Sequence, residues 1–134
     1  NEFYDDYAHH PTEIYSVLEG IKRVANKKKI TSIFQPHRFS RINLLKNEFS
    51  KSFKFSDRVV LCPVYAAGET SKKKFDLIKF GKMISINSNV NVIIIKDEEN
   101  LKNYLKKNLY KNEIIIGMGA GSISNWMRNL KQTL

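Results

Sequence analysis

The sequence is poor in cysteine, in arginine and in long apolar runs, and each shortage removes a class of protein. A single cysteine, Cys62, cannot close an internal disulfide. Its neighbours Val59, Val60 and Leu61 place it as a buried thiol in a strand, which suits a reducing compartment. Apolar runs such as Val92 to Ile95 fall far short of the roughly 20 residues a membrane helix needs. No signal-peptide pattern opens the chain, so the expectation is a cytoplasmic protein with no membrane partner. Only five of the 23 basic residues are arginine, the residue best suited to bidentate contacts with bases and phosphates.

What is abundant is lysine. A net charge of +10 and a pI near 9.7 invite a nucleic-acid reading. The excess lies in scattered runs, Lys27 to Lys29 and Lys72 to Lys74, with no zinc-finger pattern, aromatic RNA platform or Arg-rich recognition helix. No nucleic-acid partner is expected. The positive surface would instead steer small anions, including nucleotides and sugar phosphates.

At 134 residues the chain has the size of one domain, and 42% hydrophobic content lets it bury a core. Short β-rich runs alternate with helical spacing, the pattern of an α/β domain with a mostly parallel sheet. Helical spacing runs from Thr12 through Ile14, Val17, Leu18, Ile21, Val24 and Ala25. A strand follows at Ile30 to Phe34. The next helix carries Ile42, Leu45 and Phe49 on one face, with Ser40 as its N-cap. Asp57 to Leu61 is a strand, Tyr65 to Thr70 a turn, and Phe75, Ile78 and Lys79 open a helix reaching about Ile84. Val90 to Ile95 reads as a strand covered on both faces, followed by a helix capped by Asp97 and carrying Leu101, Leu105 and Leu109. Glu113 to Met118 then enters a glycine-rich turn before a helix with Ile123, Trp126, Met127 and Leu130.

Ligands of open parallel sheets collect beyond the carboxyl ends of the strands, which singles out three segments: Asp5 to Pro11, Gln35 to Arg41, and Gly117 to Ser124. The first crowds Asp5, Asp6, His9 and His10 ahead of a helix, where backbone N–H groups favour anions. Those four could ligate a metal only with further ligands that the sequence does not cluster, so no metal site is assigned. The plainer reading is that Asp6 or Thr12 caps the helix. The second sets Arg38 and Arg41 near one helix entrance beside His37, suited to a carboxylate or phosphate, against the plainer reading of two solvated arginines. The third, Gly117-Met118-Gly119-Ala120-Gly121-Ser122, departs from a dinucleotide fingerprint at Ser122 and follows the last strand instead of the first. Close backbone packing explains its glycines as well as phosphate binding does.

Asp5-Asp6-Tyr7-Ala8-His9-His10-Pro11, Phe34-Gln35-Pro36-His37-Arg38-Phe39-Ser40-Arg41, Val64-Tyr65-Ala66-Ala67-Gly68-Glu69 and Gly119-Ala120-Gly121-Ser122-Ile123, in that order, resemble the Mur ligases in their alanine-adding branch, specifically the C-terminal domain. The resemblance covers nearly the whole chain. Ala8 and Ala66, where many relatives carry glycine and proline, are mild departures. The resemblance implies a Rossmann-like three-layer α/β/α fold and a share in joining UDP-N-acetylmuramate to L-alanine with ATP and magnesium. It implies that His9, Arg38 and Arg41 contact L-alanine and the developing charge, and that Tyr7 shapes the pocket. Gly121 and Ser122 would offer backbone donors, and Asp5 and Asp6 would approach the nucleotide. ATP, magnesium and UDP-N-acetylmuramate would be held mainly by N-terminal UDP-binding and central ATPase domains that this chain does not resemble. No Gly-x-x-x-x-Gly-Lys-Ser/Thr loop occurs, so the chain alone is expected to be inactive. The alternatives are the ligase that recycles murein tripeptide, which shares the Asp-Asp-His-His-Pro pattern, and a Rossmann-like nucleotide-binding module of another ligase.

Overall fold

A computed structural model describes residues 1–70 and 75–134. The lysine run at 72–74 lies outside the described residues. Ten elements alternate along the chain: β1 (Glu2–Asp6), α1 (Pro11–Val24), β2 (Lys29–Phe34), α2 (Phe39–Ser50), β3 (Arg58–Leu61), α3 (Leu77–Ser88), β4 (Asn91–Ile94), α4 (Glu98–Asn108), β5 (Glu113–Met118) and α5 (Ile123–Thr133). The strands form one sheet in the order β1-β5-β2-β3-β4, and every pairing is parallel. The expected three-layer α/β/α architecture is present.

Strand alternation sorts the core into two layers. Ile114, Ile116 and Met118 of β5 pack with Ile14 and Leu18 of α1, Ile42 and Phe49 of α2, and Phe80 and Ile84 of α3. Ile115, Ile33 and Val60 pack on the other face with Leu101 and Leu105 of α4 and with Ile123, Met127 and Leu130 of α5. Gly117 belongs to this second face, where an added Cβ would meet the Met127 side chain at 2.3 Å. Its lack of a side chain lets α5 lie close on β5. Cys62 is buried just past β3, as its neighbours implied, and burial pushes its thiol pKa far up.

Several expectations change. Glu2 to Asp6 is a strand, pairing with Ile114 to Met118, where the sequence suggested only a binding loop from Asp5. β4 is covered on both faces as expected, Val92 packing on one core layer and Ile93 on the other, but it is an edge strand paired only with β3, and its Asn91 and Ile94 are exposed. Ser40 does not cap α2, which starts at Phe39 with Arg38 as its N-cap. Neither Asp6 nor Thr12 caps α1, whose N-cap is His10 with the Glu13 carboxylate accepting from the His10 N–H at 3.0 Å. Val24 and Ile78, read as buried-face positions, are 78% and 62% exposed. The α3 helix starts only after its cap Asp76, so Phe75 precedes it, and Leu109 follows the end of α4. Asp97 does cap α4, accepting from the Asn100 N–H at 2.8 Å.

Candidate functional site

The carboxyl ends of β2 and β5 lie side by side, and the chain leaves them in opposite directions, to α2 in one layer and α5 in the other. That reversal is where ligands gather in doubly wound sheets. Here the position is occupied by Gln35, 3% exposed, the first residue after β2. Its Nε2 donates to Ser122 Oγ at 2.8 Å and its Oε1 accepts from the Ile123 N–H at 3.1 Å. Gly119 and Gly121 make room for this contact. A Cβ on Gly119 would meet the Gln35 carbonyl at 2.9 Å, and one on Gly121 would meet the Tyr65 ring at 2.5 Å and Gln35 Oε1 at 2.8 Å. The glycine turn is thus a close-packing turn in this fold. Its Gly121 and Ser122 border the cleft but already serve Tyr65 and Gln35.

The arginine turn follows. Arg38 has φ +71°, a left-handed conformation uncommon for a residue with a Cβ. It is held there by the loop after β3. The Arg38 N–H donates to the Tyr65 carbonyl at 2.8 Å, and the Tyr65 N–H donates to the Pro36 carbonyl at 2.8 Å. The His37 ring stacks on Tyr65, with centroids 5.6 Å apart and planes 19° apart. One turn into α2, Arg41 Nη1 donates to His37 Nδ1 at 2.8 Å and to the His37 carbonyl at 3.2 Å. A guanidinium only donates, so His37 Nδ1 is an acceptor and the ring proton sits on Nε2. Burial first, then the Arg41 charge and those of His9 and Arg38, lowers the His37 pKa, with Glu69 opposing.

His9 reaches the same cluster from the loop between β1 and α1. Its ring lies edge-on to His37 at 6.0 Å and edge-on to Tyr7 at 5.3 Å. His9 Nδ1 bonds to the Tyr7 carbonyl at 3.0 Å. A carbonyl only accepts, so Nδ1 carries the proton and the lone pair of the neutral ring is at Nε2. The two imidazoles therefore hold opposite tautomers. His9 can accept a proton or hydrogen bond at Nε2, and His37 can donate one there.

The sequence-predicted residues do not all converge. His9 and Arg41 meet at His37, whose pKa also feels the charge of Arg38, while Tyr7 is 71% exposed against the edge of His9. Asp5 and Asp6 are neighbours on β1, and alternation sends them to different faces. Asp5 Oδ2 accepts from Ser124 Oγ of α5 at 2.6 Å and lines a recess with Tyr4, Arg128 and Lys131. Asp6 Oδ1 accepts from the Ala8 N–H at 2.8 Å and lines a recess with Tyr7, Thr12 and Glu13. Among the described residues no three His, Cys, Asp or Glu side chains gather to hold a metal ion. Magnesium commonly takes only one or two carboxylates beside phosphate oxygens, so Asp5 or Asp6 could each supply one ligand to a nucleotide-bound ion. Sequence reasoning gave no roles to Gln35, His37, Tyr65 and Glu69, although all four lie inside the segments it quoted. Their signal was a polar or aromatic residue just beyond a strand end.

Fold and site together define a doubly wound α/β domain that presents cationic and imidazole groups at the carboxyl edge of its sheet. The chain belongs to the Mur ligase family: the family described as Mur ligase, glutamate ligase domain matches residues 1–121. It is 48% identical over 132 residues to a UDP-N-acetylmuramate–L-alanine ligase of Pelagibacter ubique, covering 98% of this chain and 28% of that protein. The chain therefore spans little more than a quarter of that relative's length. Among solved structures, the UDP-N-acetylmuramate-alanine ligase of Thermotoga maritima superposes with a TM-score of 0.74 at 25% identity, covering 96% of this chain and 25% of that one. A murein peptide ligase from Psychrobacter arcticus gives 0.76 at 17% identity, over 95% of this chain and 26% of that one, a likeness of fold alone. No helix among the described residues is long and apolar enough to cross a membrane.

Proposed function

We propose that this chain is the amino-acid-receiving domain of a cytoplasmic ligase that joins L-alanine to UDP-N-acetylmuramate in peptidoglycan precursor synthesis. The observation that carries the reading is the meeting of His9 and Arg41 at His37, next to Arg38 in the chain, at the carboxyl edge of the sheet. An amino acid brings a carboxylate and an ammonium group, and this cluster offers a match for each. Arg38 and Arg41 lie one helical turn apart and would take the carboxylate by charge-assisted bonds. His9 Nε2 would face the amino group and receive the proton it must shed before attack on an activated carboxyl carbon. Tyr7 would wall the outer side.

ATP and magnesium would activate the muramyl carboxylate, bound mainly by regions outside those described here. This chain's contribution to the nucleotide would be Asp6, and Asp5 from the other face of β1. The alanine-adding branch is favoured over murein tripeptide recycling by the 48% and 40% identities to alanine ligases of Pelagibacter ubique and Fusobacterium nucleatum.

The test is to graft the chain in place of the matching region of the Pelagibacter ubique ligase and follow alanine-dependent phosphate release. Arg38→Ala should lower kcat/KM for L-alanine by about 10- to 100-fold, the range for a lost charged hydrogen bond. An active graft indifferent to Arg38→Ala would reject the site. An active graft that prefers a peptide over alanine would move the chain to the recycling branch.

A further inference from the structure

The loop after β3 does more than border the site, because it reaches across and completes the start of α2. The first N–H groups of a helix need acceptors, and the N-cap side chain usually supplies one. The N-cap of α2 is Arg38, whose side chain makes no capping bond and only donates. The acceptor comes instead from residue 69. Glu69 accepts from the Ser40 N–H at 3.3 Å and from the Ser40 hydroxyl at 2.5 Å. Ala67 and Gly68, both at positive φ, turn the loop back, with the Glu69 N–H closing on the Ala66 carbonyl at 3.0 Å. The same loop holds Arg38 in its left-handed conformation through Tyr65 and stacks on His37, the partner of Arg41.

We infer that Glu69 is a positioning residue for the two arginines, capping α2 from the neighbouring loop and fixing the direction in which Arg38 and Arg41 meet the carboxylate of the incoming amino acid. The inference rests on the reading of Arg38 and Arg41 as carboxylate ligands. Glu69 itself sits behind the turn, bonded to Ser40, and contacts no reacting atom. Without it, the Ser40 N–H loses its acceptor and the first turn of α2, between Arg38 and Arg41, frays where aim matters.

The grafted ligase tests this with three variants. Glu69→Ala should raise KM for L-alanine about 5- to 10-fold, the modest effect of a lost helix cap, while kcat and KM for ATP and for UDP-N-acetylmuramate stay within about twofold. Glu69→Gln should return KM to near the parent value, since its Oε1 still accepts the Ser40 N–H and its Nε2 can donate to the Ser40 oxygen. Amide exchange at Ser40 should quicken in Glu69→Ala and not in Glu69→Gln. If Arg38→Ala raises KM for alanine and Glu69→Ala does not, the positioning role is wrong and the site reading stands. If Arg38→Ala is without effect, both fall. An equal loss in every kinetic constant, or a Gln variant as impaired as the Ala variant, would reduce Glu69 to general stability or bare charge and overturn the inference.

Discussion

At the scale of single residues, the site depends on which nitrogen of each imidazole holds a proton. His37 accepts from Arg41, and a second proton on Nδ1 would break that bond and set two positive groups against each other. Burial and the charges of Arg41, His9 and Arg38 therefore hold its folded pKa below the usual 6.5. The unfolded chain protonates this ring near 6.5 while the folded one does not, so the unfolded state binds more protons between the two values. Stability contributed here is present above 6.5 and is lost as pH falls through that window. A histidine titration followed by NMR should place His37 below 6.5, and His37→Phe should flatten the corresponding slope of melting temperature against pH. A His37 pKa above 6.5 would mean that the bond to Arg41 does not form.

At the scale of elements, the sheet is locked at the end opposite the site. Arg58 at the start of β3 donates to Glu113 of β5 at 2.8 Å and to Thr31 of β2 at 2.7 Å, with all three side chains buried. The Thr31 hydroxyl also donates to Glu113. The guanidinium lies 4.4 Å from the centre of the Tyr110 ring, and its Nη1 donates to the Tyr104 hydroxyl at 3.1 Å. This network joins three adjacent strands and fixes their relative register. Glu113→Ala would leave a buried cation without its counter-charge and should cost about 3–5 kcal/mol in denaturant unfolding, whereas an Arg58→Met/Glu113→Leu pair should cost far less. Equal losses in the two proteins would show that the charges are not what the strands require.

The elements also show where sequence patterns carry information and where they do not. Every helix and four of the five strands were visible because their buried faces repeat at 3.6 or fill short β-branched runs. β1 escaped because Glu-Phe-Tyr-Asp-Asp lies at a sheet edge and buries little, so its order comes from β5 and not from its own composition. The edge position of β4 escaped for a related reason: an apolar run looks the same at the centre of a sheet and at its edge. The arginine motif was legible as residue types. Its geometry was not, because Arg38 takes its conformation from Tyr65, 27 positions away, and α2 takes its cap from Glu69. Ser40, the apparent cap by local rules, bonds to Glu69 instead.

At the scale of the molecule, the groups proposed for amino-acid binding stand on the β1–α1 loop and at the start of α2 along one rim of the sheet, and the carboxylates proposed for the nucleotide are split between its two faces. The surrounding recesses are shallow, and Asp5 and Asp6 line separate ones. Such a rim suits a body that closes onto another, with activation of the muramyl carboxylate supplied from across the interface. The purified chain by itself should therefore release no phosphate from ATP in the presence of UDP-N-acetylmuramate and alanine. Turnover by the chain alone would contradict this division of labour.

Gln35 gives the rim a further property. In many doubly wound domains the gap between the two diverging strands is a seat for a cofactor, so the protein is shaped by what it holds. Here an amide side chain stoppers that gap, bound at both ends to the glycine turn. The stopper is part of the chain, so the rim keeps its form whether or not a small molecule is present. On the proposed function, the chain would therefore offer its substrate a rim already set in shape, with no cofactor needed to form it.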